Sequence, residues 1–293
     1  MTHRVSSVFI DRRSGMAAPP NIRLDLANRP ENVVLVRETL TGVAEAIGLD
    51  AADLDDIRTA VTEACNNVVL HAYEAEEGPL EVEIYAAGSS VEVFVRDHGV
   101  GLRRPSGDDP WVIGIGLPVI EALAQQVQFV ETAGGGTEVR MEFATPGART
   151  LEPADGDLLD RPAVSPTGEG QTTVTIAPVA PLSRSVLPRL LGVLAARANF
   201  STDRISDALM LADALGANAS ASTSAGHLTI TVNVAPRNLE LRLGPLDAGR
   251  GEKLISGSNV EGVGRVIEKL SDHHSVALDG SSEVLDLRLT DLR

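Results

Sequence analysis

The chain has 293 residues, enough for about two domains at ~100–200 residues each, and its 3% aromatic content leaves the cores to Leu, Val, Ile and Ala. No stretch approaches the ~18 apolar residues of a membrane span, and the opening MTHRVSSVFIDRRSG lacks a signal peptide's apolar run and cleavage site. The net charge of −16 lies mostly in residues 21–146, which hold 8 basic and 22 acidic side chains against 12 and 13 in residues 171–293, so the first half repels nucleic acid and anionic membrane. It favours a basic protein partner, or is simply a solvated acidic surface. Cys65, the only cysteine, cannot form an internal disulfide or a thiolate metal cluster, and a reducing cytoplasm is the expected setting.

In chain order, residues 1–20 read as a flexible arm and Asn21–Leu26 alternates as a strand. Glu31–Ile47 has helical spacing and stops at Gly48. A second helix starts near Asp50 or Asp53, either of which could cap it, and runs to about Tyr73. Leu80–Tyr85 and Ser90–Arg96 alternate as strands. Leu117–Gln126 reads as a helix, and Val127–Glu131 with Thr137–Phe143 as a hairpin across AGGG. The expected fold class is α/β, a two-layer sandwich whose mixed sheet carries helices on one face.

Residues 147–170 are rich in Pro, Gly and Asp and read as a linker. The order then restarts. Thr172–Ile176 is a strand, Arg184–Ala198 and Thr202–Ala219 are helices, and His227–Val234 with Leu239–Leu243 are strands. VEGVGRVIEKL resembles WVIGIGLPVIEAL, and GSSEVLDLRL resembles GGTEVRMEF. The reading is a duplication, 21–146 and 171–293, with a diverged second copy.

Four segments carry chemistry. In VTEACNNVVLHAY, Ile57, Val61, Ala64 and Val68 fall on one stripe, while Glu63 and Asn67 stack one turn apart beside it. That pair suits a hard cation such as Mg²⁺, and the Glu could take a proton from an attacking hydroxyl; taken alone, such a pair is more often plain helix surface. In VRDHGVGL, Asp97 precedes Gly99 and Gly101 after a strand, and its carboxylate could accept a bond from an exocyclic amine such as adenine's, or the segment is an ordinary turn. In GIGLPVIEAL, Gly114 and Gly116 open onto a helix whose N-terminus suits phosphate, although neither a Walker loop nor a dinucleotide fingerprint is present. GGGTEV holds Thr137 after a glycine turn.

Taken jointly, these segments resemble the ATP-binding fold shared by gyrase, histidine kinases and the mismatch-repair ATPases (GHKL or Bergerat fold). Within it, DIRTAVTEACNNVVLHAY and the compact ending are most similar to anti-sigma-factor serine kinases, over residues 21–145. The resemblance implies ATP and Mg²⁺ as cofactors, with Glu63 as catalytic base and Asn67 as Mg²⁺ ligand. By the same resemblance Asp97 anchors adenine, and Gly99 and Gly101 shape the pocket. Gly114 and Gly116 receive phosphates, Thr137 backs the base, residues 103–113 form a lid, and His71 is a positioning residue.

The implied activity is that of an anti-sigma regulator and serine/threonine kinase acting on an anti-anti-sigma antagonist of STAS type. The implied partners are that antagonist and a sigma factor, with no nucleic acid or membrane. The alternative is an ATP-sensing adaptor that docks a regulator without phosphorylating it. In the second copy an offset of 151 keeps Asn218 but puts Ala214 at the Glu63 position, and an offset of 150 keeps Asp213 but loses the Asn. Pro245 falls at or near the Asp97 position. The second copy is thus expected to bind no nucleotide and to supply an internal pseudo-dimer surface in place of, or beside, a homodimer.

Overall fold

A computed structural model describes residues 19–73, 76–101, 116–132, 134–151, 171–177, 179–260 and 262–292. The expected flexible arm (save Pro19 and Pro20), the lid at 103–113, Gly114 and most of the linker lie outside these residues.

In the first half, β1 (Ile22–Ala27) leads into α1 (Pro30–Ile47) and α2 (Ala51–Asn67). Pro30 suits the first helical turn, where an N–H is not needed. Gly48 ends α1 in the left-handed conformation at φ 71°, and Leu49 N–H closes on Ala44 O at 2.9 Å. Of the two candidate caps for α2, Asp50 is used: its Oδ1 accepts the N–H groups of Ala52 and Asp53. The remaining elements are β2 (Pro79–Ala87), β3 (Ser90–Asp97), α3 (Gly116–Leu123), β4 (Gln126–Glu131) and β5 (Thr137–Ala144).

The second half contains β6 (Gln171–Ile176), α4 (Val179–Arg197), α5 (Thr202–Asn218), β7 (Leu228–Ala235) and β8 (Asn238–Leu246). It continues through α6 (Arg250–Gly257), a short β9–β10 ladder (Asn259–Val260, Gly264–Arg265), α7 (Val266–Leu270), β11 (His273–Asp279) and β12 (Ser282–Thr290).

One ten-stranded sheet runs through both halves in the order β11-β12-β8-β7-β6-β1-β2-β3-β5-β4. From the centre outward the first half reads β1-β2-β3-β5-β4 and the second β6-β7-β8-β12-β11, the same order of strands in chain sequence. β1 and β6 join them antiparallel, from Ile22 opposite Ile176 to Asp25 opposite Thr173. The expected mixed sheet differs in one respect: neighbours among the described strands are all antiparallel. The physical reason is that β3 and β4, joined through α3, both run against β5, which separates them.

Alternation in the strands sends Ile22, Leu24, Leu80, Val82, Val93, Val95 and Met141 into one core with Leu35, Val36, Val61 and Ala64 of the helices. Each such side chain contributes roughly 1.5–3 kcal/mol when removed from water. Across the seam α4 packs on α1 so closely that a Cβ on Gly42 would lie 2.9 Å from Ser185 O. Arg197 donates to Asn32 Oδ1 at 2.8 Å, and Arg189 pairs with Glu45 at 3.1 Å. Among the described residues one helix, Val179–Arg197, is long and apolar enough to cross a membrane by length and composition, but Arg184 and Arg189 interrupt it and half of it is buried inside this fold.

Candidate functional site

The stripe read from α2 is present: Ile57, Val61, Ala64 and Val68 are all buried against the sheet. Glu63 and Asn67 are half-buried beside it. Among the described residues neither side chain has a hydrogen-bond partner, so an acid and an amide one turn apart stand available to a ligand. The helix does not continue regularly to Tyr73. After Asn67 it widens into a π-helical turn, Val68–Ala72, a feature often found at functional sites.

That wide turn delivers the Ala72 carbonyl to the glycine segment after β3. Val100 N–H donates to Ala72 O at 3.0 Å, and a Cβ on Gly99 would lie 1.9 Å from that oxygen. Gly101 has φ 75°, a conformation side chains rarely adopt. Asp97 is buried at 4% exposure, and its Oδ1 accepts the Gly99 N–H at 2.8 Å. Burial raises the Asp97 pKa, while hydrogen bonds from Gly99 N–H and from the Thr137 N–H and hydroxyl oppose the rise. A carboxylate offers about four lone-pair sites, so three protein donors leave about one for a ligand. One free acceptor beside glycines fits the exocyclic amine of adenine.

The β4–β5 connection closes the other side. Gly136, at φ 83°, approaches so tightly that a Cβ there would meet Asp97 O at 2.3 Å. Thr137, 8% exposed, is bonded to Asp97 rather than to Glu63, so its observed partner is the adenine-anchor candidate. Gly116 opens α3, which packs against α2. Among the described residues no group of three His, Cys, Asp or Glu side chains is placed to hold a metal ion, and a single amide such as Asn67 fits Mg²⁺ only where phosphates and water complete its shell.

Tyr73 was not singled out from the sequence, yet it ties the site together. Its hydroxyl donates to Pro79 O at 2.7 Å and accepts the His98 N–H at 2.8 Å. Its ring fills the space over Gly78, where a Cβ would lie 2.1 Å from Cε1. Burial pushes its pKa up to about 12, with the His98 N–H opposing. The signal available was its place directly after the polar helix. His71, expected to position the site, is exposed and has no hydrogen-bond partner among the described residues.

The second half differs at the matching places. Asp50 caps α2 and Ser201 caps α5, which sets the offset at 151 and puts Ala214 opposite Glu63 and Asn218 opposite Asn67. Asn218 Nδ2 donates to Ala214 O within its own helix. The hairpins pair Ala87 with Ser90 and Ala235 with Asn238, an offset of 148, so Pro245 stands where Asp97 does.

A buried Asp in a glycine turn is thus held against the end of a polar helix and a glycine hairpin, in a fold of the GHKL class. Residues 26–143 match the histidine kinase-like ATPase domain. The serine-protein kinases RsbW of Bacillus thuringiensis (strain Al Hakam) and Bacillus cereus (strain 03BB102) are each 30% identical over 128 residues, 39% of this chain and 79% of theirs. RsbW of Bacillus anthracis (strain CDC 684 / NRRL 3495) matches to the same extent. The chain belongs to the anti-sigma-factor serine kinase family, as an ATP-binding anti-sigma regulator.

Proposed function

We propose that this protein transfers the γ-phosphoryl group of ATP to a Ser or Thr hydroxyl of an anti-anti-sigma antagonist, and holds a sigma factor when that antagonist is phosphorylated. The reading is carried by Glu63 and Asn67, half-buried, one turn apart and unbonded among the described residues, on the helix whose end seats the Asp97 turn. In this reading Asp97 and the glycines hold adenine, and Gly114 and Gly116 donate backbone N–H groups to phosphate. Asn67 holds Mg²⁺, which when bound offsets phosphate charge. Glu63 accepts the proton of the attacking hydroxyl; the new bond joins that oxygen to the γ-phosphorus while the bond to the β-phosphate oxygen breaks and ADP leaves.

Residues 21–146 then form the active domain. Residues 171–293 form a diverged copy that lacks the acid and the adenine anchor and serves as a built-in partner across the β1–β6 seam. The test is incubation with labelled ATP and a purified STAS-type antagonist. Transfer by the wild type, and none by Glu63→Gln at unchanged ATP affinity, is expected. Tight antagonist capture with no transfer in the wild type would instead establish an ATP-sensing adaptor.

A further inference from the structure

At the seam between the two halves, the end of β1, the entry to α1, the start of β6 and the last turn of α4 surround a cavity of about 210 Å³. Arg29, Arg197 and Thr172 are among the residues that line it, and Glu31 is the single acid among the described lining residues. None of them belongs to the Asp97 turn or to the polar stripe of α2.

Arg197 is a half-buried cation held by neutral oxygens. Its Nη1 donates to Asn32 Oδ1 at 2.8 Å and its Nη2 to the Glu31 backbone carbonyl at 2.6 Å, and among the described residues no carboxylate is bonded to it. Burial lowers its pKa from the ordinary arginine value; the Glu31 charge opposes the fall and the Arg29 charge adds to it, so two cations share one field. A guanidinium carries five N–H donors, and two bonds leave about three for a ligand. Thr172 is 1% exposed, and its hydroxyl has no hydrogen-bond partner among the described residues. A buried hydroxyl without a partner carries a cost that an incoming acceptor removes.

We propose that this cavity takes a small oxyanion of the phosphate class, gripped by Arg197 and Thr172 between α4 and the start of α1. A guanidinium fork matches phosphate oxygens two at a time, and a hydroxyl can donate to a third. Size decides against larger ligands: about 210 Å³ lies below the ~300–1,000 Å³ of sites for drug-sized molecules, so a whole nucleotide does not fit. Arg29 pairs with Glu77 at 2.5 Å and contributes its charge to the cavity rather than a required bond. Glu31 is exposed, so solvent screens its repulsion. The ion braces the two halves, because Asn32, the acceptor of Arg197, also holds the end of β1 through Nδ2 to Ala27 O at 2.8 Å.

Titration of inorganic phosphate into the full chain, in Tris chloride at fixed ionic strength, tests this by calorimetry and by equilibrium dialysis of radiolabelled phosphate. The wild type should bind a single phosphate saturably. Arg197→Gln should weaken that binding at least about tenfold, and Thr172→Val, which keeps the side chain's shape, about threefold, the scales for losing charge-assisted and neutral hydrogen bonds. Glu31→Gln should tighten it, since a like charge is removed. Saturating ADP should leave the phosphate bound. Absence of saturable binding, wild-type affinity in either Arg197→Gln or Thr172→Val, or full displacement by ADP would each overturn the proposal. Should Arg197→Gln fail to melt cooperatively, Thr172→Val and Glu31→Gln decide.

Discussion

Gly99 sits so near Ala72 that a Cβ placed on it would lie 1.9 Å from the Ala72 carbonyl oxygen, the same oxygen that accepts the Val100 N–H. The glycine is therefore the joint between the polar helix and the Asp97 turn. We expect Gly99→Ala to push the π-helical turn away from β3. Overpacking of this kind costs about 1–3 kcal/mol of stability, and here it should also lower ATP affinity because Asp97 and Asn67 lose their shared frame. Thermal melts with nucleotide titration check this; unchanged ATP affinity would separate the turn from the site.

Asp97→Asn should weaken ATP binding by roughly 1–3 kcal/mol, since the amide cannot replace a carboxylate that accepts several N–H and O–H groups at once. The wild-type pH profile follows from the raised Asp97 pKa. Below the native pKa the carboxyl is protonated and loses the free acceptor, so affinity should begin to fall on acidification while still above the ordinary 3.8. The stability linkage has the opposite sign. The native carboxyl keeps a proton that the unfolded chain has already lost, so this group disfavours the folded state as pH rises through the native pKa. Calorimetric titrations across mildly acidic pH check the binding; a flat wild-type profile argues against Asp97 as the acceptor.

Much of this arrangement was legible in the sequence because period and punctuation are local. The Ile57–Val68 stripe, the Gly48 stop and the strand alternation all reappear within a residue or two. The Asp-x-Gly-x-Gly spacing marked a turn with close backbone approach: Gly99 makes the approach, and Gly101, at φ 75°, makes the turn. What could not be read was long-range. Nothing local told that β1 and β6 would pair and fuse two sheets into one, nor that Thr137 would face Asp97. The π-helical turn was hidden as well, because VVLHA keeps a helical pattern and widens only where Ala72 meets Gly99 and Val100.

Cys65 is 0% exposed in the core beside the site helix, and burial pushes its thiol up to about 12. We expect Ellman's reagent to find no rapidly reacting thiol at pH 8 in the native protein and one equivalent in denaturant. The unfolded thiol ionises from about its ordinary 9.0, while the native one stays protonated until about 12, so this group's contribution to stability declines as pH rises above 9. Cys65→Ala should show a shallower alkaline decline in melting temperature than the wild type. Rapid native labelling would mean that α2 opens readily.

The intact chain should bind one equivalent of ATP. Both halves share a strand order, yet Ala214 stands where Glu63 does and Pro245 where Asp97 does. Proline offers neither a carboxylate to adenine nor an N–H to the turn, and Asn218 is already bonded to its own helix. A second pocket would thus need its anchor, its acid and a freed amide all at once. Calorimetry on the full chain keeps the β1–β6 seam intact, which an isolated second half would not, since β6 would lose its partner strand and α4 its contact with Gly42. The expected stoichiometry is one, and Asp97→Asn should weaken that single event rather than remove one of two. Two equivalents in the wild type, or one tight equivalent surviving in Asp97→Asn, would place a working nucleotide site in the second half.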